Sequence, residues 1–125
     1  MPKTIIATER APKAIGPYSQ ATLKGNTLYI SGQVPVNPAT GAMPEAFEDQ
    51  VRQVLSNIKA VLDAAGATIG DVVKVGIFVT DLGKFAALNA IYAETFTADC
   101  PARSTVQVSA LPLGAQVEMD AIAVL

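Results

Sequence analysis

The sequence predicts a single α+β domain spanning residues 1–125, in which a mixed sheet carries two helices on one face in the order ββ-α-β-α-ββ. Three observations predict it. From Glu45 to Ala65 the apolar residues Phe47, Val51, Val54, Leu55, Ile58 and Leu62 recur at spacings of three and four, the period of one helix face. Asp71–Thr80 (DVVKVGIFVT) is an almost continuous, largely β-branched apolar run, as expected of a buried strand at the sheet centre. Gln116–Leu125 alternates, with Gln116, Glu118 and Asp120 on one side and Val117, Met119 and Ala121 on the other. Strands on either side of two helices place both helices on the same sheet face.

The remaining elements follow in chain order. Lys3–Ala7 is a short strand and Thr27–Val34 (TLYISGQV) a stronger one, with a turn at Gly25-Asn26 between them. Pro35–Pro44 carries three prolines and one glycine and is expected to be a loop, closing a hairpin around Asn37–Gly41. Gly66 stops the first helix. Asp81 is the expected cap of a second helix running to about Phe96, with Phe85, Leu88, Tyr92 and Phe96 as its inward stripe. Ser104–Ser109 alternates as a strand, and Pro112 and Gly114 turn the chain into the last one.

Composition narrows the function. Half of the 125 residues are hydrophobic and 16% are charged, against roughly 25% in an average soluble domain. Apolar surface is therefore expected to meet other subunits, which would cover the second sheet face. No apolar stretch reaches the roughly 18 residues of a membrane span. Histidine is absent, which removes imidazole-based triads and nearly all zinc sites, and one cysteine cannot build a thiolate cluster, so no metal is expected. The single Cys100 excludes an internal disulfide, and with an N-terminus unlike a signal peptide the expected location is the cytoplasm. A net charge of −2, with three Arg and six Lys scattered singly, argues against nucleic acid as the main partner. No glycine pattern supports nucleotide phosphate binding.

A few residues could carry chemistry. Arg103, in CPARSTV immediately before a strand, could present its fork to a carboxylate; a surface ion pair is the plainer alternative. Glu118 and Asp120 point to one side of an otherwise apolar strand, and one of them is expected to meet Arg103, either as a structural pair or in a site where Glu118 holds or deprotonates a water. Tyr18 follows the rigid Gly16-Pro17 turn, which would fix where its phenol points, with packing alone as the plainer reading. Ser31-Gly32-Gln33 interrupts a strand with a residue lacking Cβ, marking a bulge or a close approach to a ligand. Asn89 sits in a helix despite poor propensity, its amide free to bond a substrate, another subunit or water. Cys100, with no histidine to activate it, reads as a small packed residue.

Five segments together resemble one known family: IGPYSQ at 15–20, YISGQVPVNPATG at 29–41, GDVVKVGIFVTDL at 70–82, PARSTV at 101–106 and VEMDAIAV at 117–124. In this order they cover nearly the whole chain and resemble the Rid (YjgF, reactive intermediate deaminase) family. The resemblance implies a chorismate-mutase-like fold and a homotrimer whose sheets enclose a central barrel, with clefts between subunits. It implies hydrolysis of 2-imino and enamine acids such as 2-aminocrotonate and 2-aminoacrylate to 2-oxo acids and ammonia, without a cofactor. By the same resemblance Arg103 clamps the substrate carboxylate, Glu118 positions the water, and Tyr18, Ser31, Gly32 and Asn89 line the substrate cleft, with Asp120 less firmly carried over. The chain departs from many relatives at Thr105, where they have Cys, and in a shorter FTADCPARS connection that sets Cys100 beside the cleft. Two other functions stay in view: a non-catalytic module that binds 2-oxo acids in the same cleft, and an RNA-cleaving translation inhibitor, which the absence of His and of a basic track disfavours.

Overall fold

The structure, a computed structural model, describes residues 2–125; Met1, within the predicted domain, lies outside the described residues. Six strands form one mixed sheet: β1 (Thr4–Ile6), β2 (Ala21–Lys24), β3 (Thr27–Gln33), β4 (Val72–Val79), β5 (Ala102–Gln107) and β6 (Val117–Val124). Their spatial order is β1-β2-β3-β6-β4-β5. All neighbours are antiparallel except β4 and β5, whose parallel pairing requires the crossover supplied by the second helix. The helices are α1 (Phe47–Ala64) and α2 (Phe85–Thr95). α1 lies across β3 and β6, and α2 packs beside α1.

α1 matches its predicted face: Phe47, Val51, Val54, Leu55, Ile58 and Leu62 are all buried. Its N-terminus has no side-chain cap, but Glu48 and Asp49 in the first turn complement the helix dipole. Its end is a Schellman closure, in which Ala67 N donates to Leu62 O at 2.9 Å and Gly66 N to Asp63 O at 3.1 Å. Gly66 takes φ 76° there, a conformation that costs a glycine little. The helix-side face of β6 is Val117, Met119, Ala121 and Ala123, none more than 3% exposed, while Glu118, Asp120 and Ile122 occupy the other face as the alternation predicts.

Several expectations are corrected. The order is βββ-α-β-α-ββ, because β2 is an additional strand and Gly25-Asn26 joins β2 to β3. β4 is interior but β6, inserted between β3 and β4, lies nearer the centre. Residues 35–44 form no hairpin; Asn37 N donates to Ala42 O and closes the loop on itself. Asp81 caps a short 3-10 turn, Leu82–Lys84, by accepting from Gly83 N, and α2 begins after that turn. Phe85 consequently lies at the start of α2, 43% exposed, whereas Leu88, Ile91, Tyr92 and Phe96 turn inward. Cys100 is exposed rather than packed, its thiol 3.5 Å from Phe96 O. β5 begins at Ala102, so Arg103 lies within the strand rather than before it.

No helix among the described residues is long and apolar enough to cross a membrane. The sheet face away from the helices carries apolar side chains, including Tyr29 and Val106, about half exposed in the single chain.

Candidate active site

The predicted site residues fall into two groups, and strand parity separates them. Arg103 on β5 stands opposite Val75 on β4, and Val75 stands opposite Ala121 on β6; Val75 and Ala121 are buried under the helices. Paired residues share a face, so Arg103 projects to the helix side. Glu118 lies three positions from Ala121 and so projects to the opposite face, as does Asp120 one position away. The expected contact between Arg103 and one of these carboxylates is therefore not made within the chain. A sequence shows which strands alternate but not how neighbouring strands are registered.

On the helix side, Arg103 is held by α2. Its Nη2 donates to Asn89 Oδ1 at 2.7 Å. The guanidinium carbon lies 4.9 Å from the centre of the Tyr92 ring and 5.5 Å from that of Phe85. Both distances are within cation–π range. Phe85, Asn89 and Tyr92 follow at spacings of four and three, so a single helix face supplies every one of these contacts. Burial, the largest influence, pushes the Tyr92 phenol up to about 12 despite the opposing Arg103 charge, so it stays neutral.

On the other side, Tyr18, Ser31, Gly32 and Glu118 line one open groove of about 1560 Å³ between the N-terminal segment, the end of β3 and the 112–113 turn. The Ser31-Gly32 segment is the bulge that a glycine interrupting the strand predicts. Pairing of β3 with β6 jumps from Ile30–Ala121 to Gln33–Met119, so two residues bulge opposite one. The Glu118 side chain also packs directly over Gly32, where a Cβ would come within 2.5 Å of Oε2. Asp120 is similarly laid on Gly76, whose N–H donates to Oδ1 at 3.1 Å. This engagement gives Asp120 a structural task and leaves Glu118 as the carboxylate of the groove. Burial, and secondarily the Asp120 charge, raise the Glu118 carboxyl above the usual carboxylate range. The Ser31 hydroxyl donates to Ser19 O at 2.6 Å and ties β3 to the segment bearing Tyr18. Tyr18 is half exposed, its hydroxyl accepting from Ile15 N at 3.2 Å.

The endoribonuclease L-PSP family model matches residues 8–125. The chain belongs to this family, the Rid family. Among Rid relatives, the 2-iminobutanoate/2-iminopropanoate deaminase of Escherichia coli K12 is 52% identical over 99% of this chain and 98% of its own. A Rid-family protein of unknown function from Yersinia pestis superposes with a TM-score of 0.97 at 52% identity, covering 99% of this chain and all of that one. The crystal structure of E. coli TdcF with bound serine superposes with a TM-score of 0.95 at 46% identity and 98% coverage of both chains. The predicted Rid membership and the single α+β domain with two helices on a mixed sheet are thus established.

Sequence reasoning assigned Arg103 no aromatic neighbours. The signal was present, because Phe85 and Tyr92 share a helix face with Asn89, but Phe85 and Tyr92 read as core stripe. Among the described residues no group of His, Cys, Asp and Glu could hold a metal.

Proposed function

We propose that this protein is a 2-iminobutanoate/2-iminopropanoate deaminase, hydrolysing 2-imino acids and their enamine tautomers to 2-oxo acids and ammonia. The observation that carries this reading is Arg103, an arginine held in place by Asn89 and two rings, in a chain 52% identical to a deaminase of that name. The guanidinium fork takes the substrate carboxylate in two parallel hydrogen bonds, which fixes the position of the neighbouring imine carbon. A small carboxylate also suits a family whose TdcF member has been crystallised with serine.

Glu118 then orients a water at that carbon and accepts its proton. Its raised pKa makes it a stronger base than an ordinary carboxylate. The water oxygen bonds to the iminium carbon as the C=N π pair moves to nitrogen. Glu118 returns its proton to the carbinolamine nitrogen; as the C–N bond breaks and the hydroxyl oxygen forms C=O, the carboxylate takes up the hydroxyl proton and passes it to solvent, releasing ammonia and the 2-oxo acid. An iminium carbon is already strongly electrophilic, so placing the water supplies most of what is needed; such positioning contributes up to roughly 7–11 kcal/mol in ideal cases.

Because the two groups project from opposite sheet faces, the complete site needs Arg103 from one copy of the chain and the Glu118 groove from another. The half-exposed Tyr29 and Val106 on the uncovered sheet face suit such an assembly, and we take it to be a homotrimer with one site per interface. Tyr18 and the Gly32 backbone form the floor of the site.

The deciding assay is 2-oxobutanoate release from freshly generated 2-aminocrotonate. Wild-type protein should accelerate it, while folded Arg103→Ala and Glu118→Gln proteins should not. Failure of the wild type to accelerate release, with 2-oxobutanoate still binding, would replace the deaminase with a ligand-binding module. Ribonuclease activity lost in Arg103→Ala protein would instead favour the activity in the family model's description.

A further inference from the structure

The seating of Arg103 assigns a part to a residue outside the reacting groups: we propose that the ring of Tyr92 is a positioning residue that sets the plane of the Arg103 guanidinium, and hence the affinity of the site for a carboxylate. This rests on the deaminase reading for its kinetic consequence, but not for its structural one. Arginine is long and flexible, and one hydrogen bond from Nη2 to Asn89 fixes a single atom of the fork while leaving its plane free to rotate. The Tyr92 face, 4.9 Å from the guanidinium carbon, removes that freedom. The ring itself is packed in place. Tyr92 is 6% exposed and packs on Phe96 with ring centroids 4.6 Å apart and a 31° tilt. Phe85 lies 5.5 Å from the guanidinium carbon but is 43% exposed, so it lacks this rigidity.

The contact comes from the π face and not from the hydroxyl. The Tyr92 oxygen is buried with no hydrogen-bond partner among the described residues, so it takes no part in holding Arg103. The phenol also stays neutral in the ordinary pH range, which excludes a tyrosinate–arginine ion pair as the source of the attraction. A phenylalanine should therefore serve, and an aliphatic side chain of similar bulk should not.

The test compares Tyr92→Phe, Tyr92→Leu and Tyr92→Met with the wild type, by nitrogen-15 side-chain NMR and by kinetics. With three arginines in the chain, the Arg103 Nε–H signal is assigned by its disappearance in Arg103→Ala protein. It should be ring-current shifted and slow to exchange in wild type and Tyr92→Phe, and should move to the position of free arginine in the leucine and methionine variants. With 2-aminocrotonate, KM should rise about five- to tenfold in those two variants, with kcat within about twofold of wild type, and Tyr92→Phe should restore KM. Leu62→Ala on α1 serves as a control that loses stability without changing KM. An unshifted KM and NMR signal in either aliphatic variant would overturn the proposal, as would Tyr92→Phe behaving like Tyr92→Leu. If wild-type protein hydrolyses no imine, the deaminase reading fails, and the NMR comparison still decides what Tyr92 does to Arg103.

Discussion

Gly32→Ala isolates the position of Glu118 from its chemistry. The added methyl would stand 2.5 Å from Glu118 Oε2, 2.9 Å from Cδ and 3.3 Å from Cγ, where ordinary contact begins at 3.4 Å. Cγ needs to give by only about 0.1 Å, whereas the carboxylate, at the flexible end of the side chain, must swing away by about 0.9 Å, a movement that costs little stability but displaces the reacting group. A displacement of about 1 Å in a positioning group lowers turnover by about 10²-fold. Stability should move little and in the opposite direction. Gly32 does not use a positive φ, so alanine narrows the unfolded ensemble and contributes about 0.4–1 kcal/mol, offset by strain at the displaced side chain. The assay is kcat for 2-aminocrotonate hydrolysis beside a thermal melt of the same preparation. A kcat within threefold of wild type, in protein whose crystal structure shows the carboxylate displaced, would refute the reasoning that Glu118 acts from this position.

Glu118→Gln should abolish turnover yet raise the melting temperature at neutral pH. The Glu118 carboxyl binds its proton more tightly in the folded chain, so between its unfolded value near 4.5 and its higher folded value the folded state holds more protons and stability falls as pH rises. The stabilisation by glutamine, read as the difference in melting temperature, should accordingly grow through that window and then level off; a difference independent of pH would contradict it. Because the base form performs the reaction, the acid limb of the wild-type rate profile should lie above the ordinary carboxylate range. Asn57→Ala tests the frame of the groove: its fully buried amide donates to Val34 O and Val36 O, each at 3.0 Å, and anchors the 34–36 segment to α1. Leaving two part-buried carbonyls without their donor should cost about 1–3 kcal/mol, measured by urea unfolding, with near-normal stability as the refuting result.

Legibility followed the range of the interaction that builds each feature. α1 was readable because its six core positions are fixed by local periodicity, and its stop because Gly66 alone supplies the closing conformation. The bulge at Ser31-Gly32 was readable from a glycine interrupting a strand. β2 was not: ATLK is four residues of mixed character, and it is a strand through its pairing with β1 and β3. The exposure of Phe85 was hidden because the 3-10 turn after Asp81 delays the start of α2. Candidate residues such as Arg103, Asn89 and Glu118 were legible as residue types, although Phe85 and Tyr92 read only as core stripe. The division of the candidates into two groups was not legible, because it depends on β6 entering between β3 and β4, a pairing across 86 to 97 residues of chain on the β3 side.

That division carries a strong constraint on mechanism. The path from Arg103 through Val75 to Ala121 keeps to the helix-covered face, and the three-residue step from Ala121 to Glu118 changes face, so no choice of rotamer brings the guanidinium and this carboxylate to one small substrate. Either Glu118 has no part in a reaction at Arg103, or each site takes the two from different copies. Mixing two inactive variants separates these possibilities. Arg103→Ala and Glu118→Gln chains, refolded together in equal amounts, should regain about a quarter of wild-type activity, since an interface is intact only when one copy retains its arginine and its neighbour retains its glutamate. Recovery should follow the formation of mixed oligomers and be absent when the two proteins are folded separately and assayed before exchange. Mixed oligomers that form and remain inactive would exclude a shared site and return the search for the water-holding group to the helix side of the sheet, around Arg103 itself.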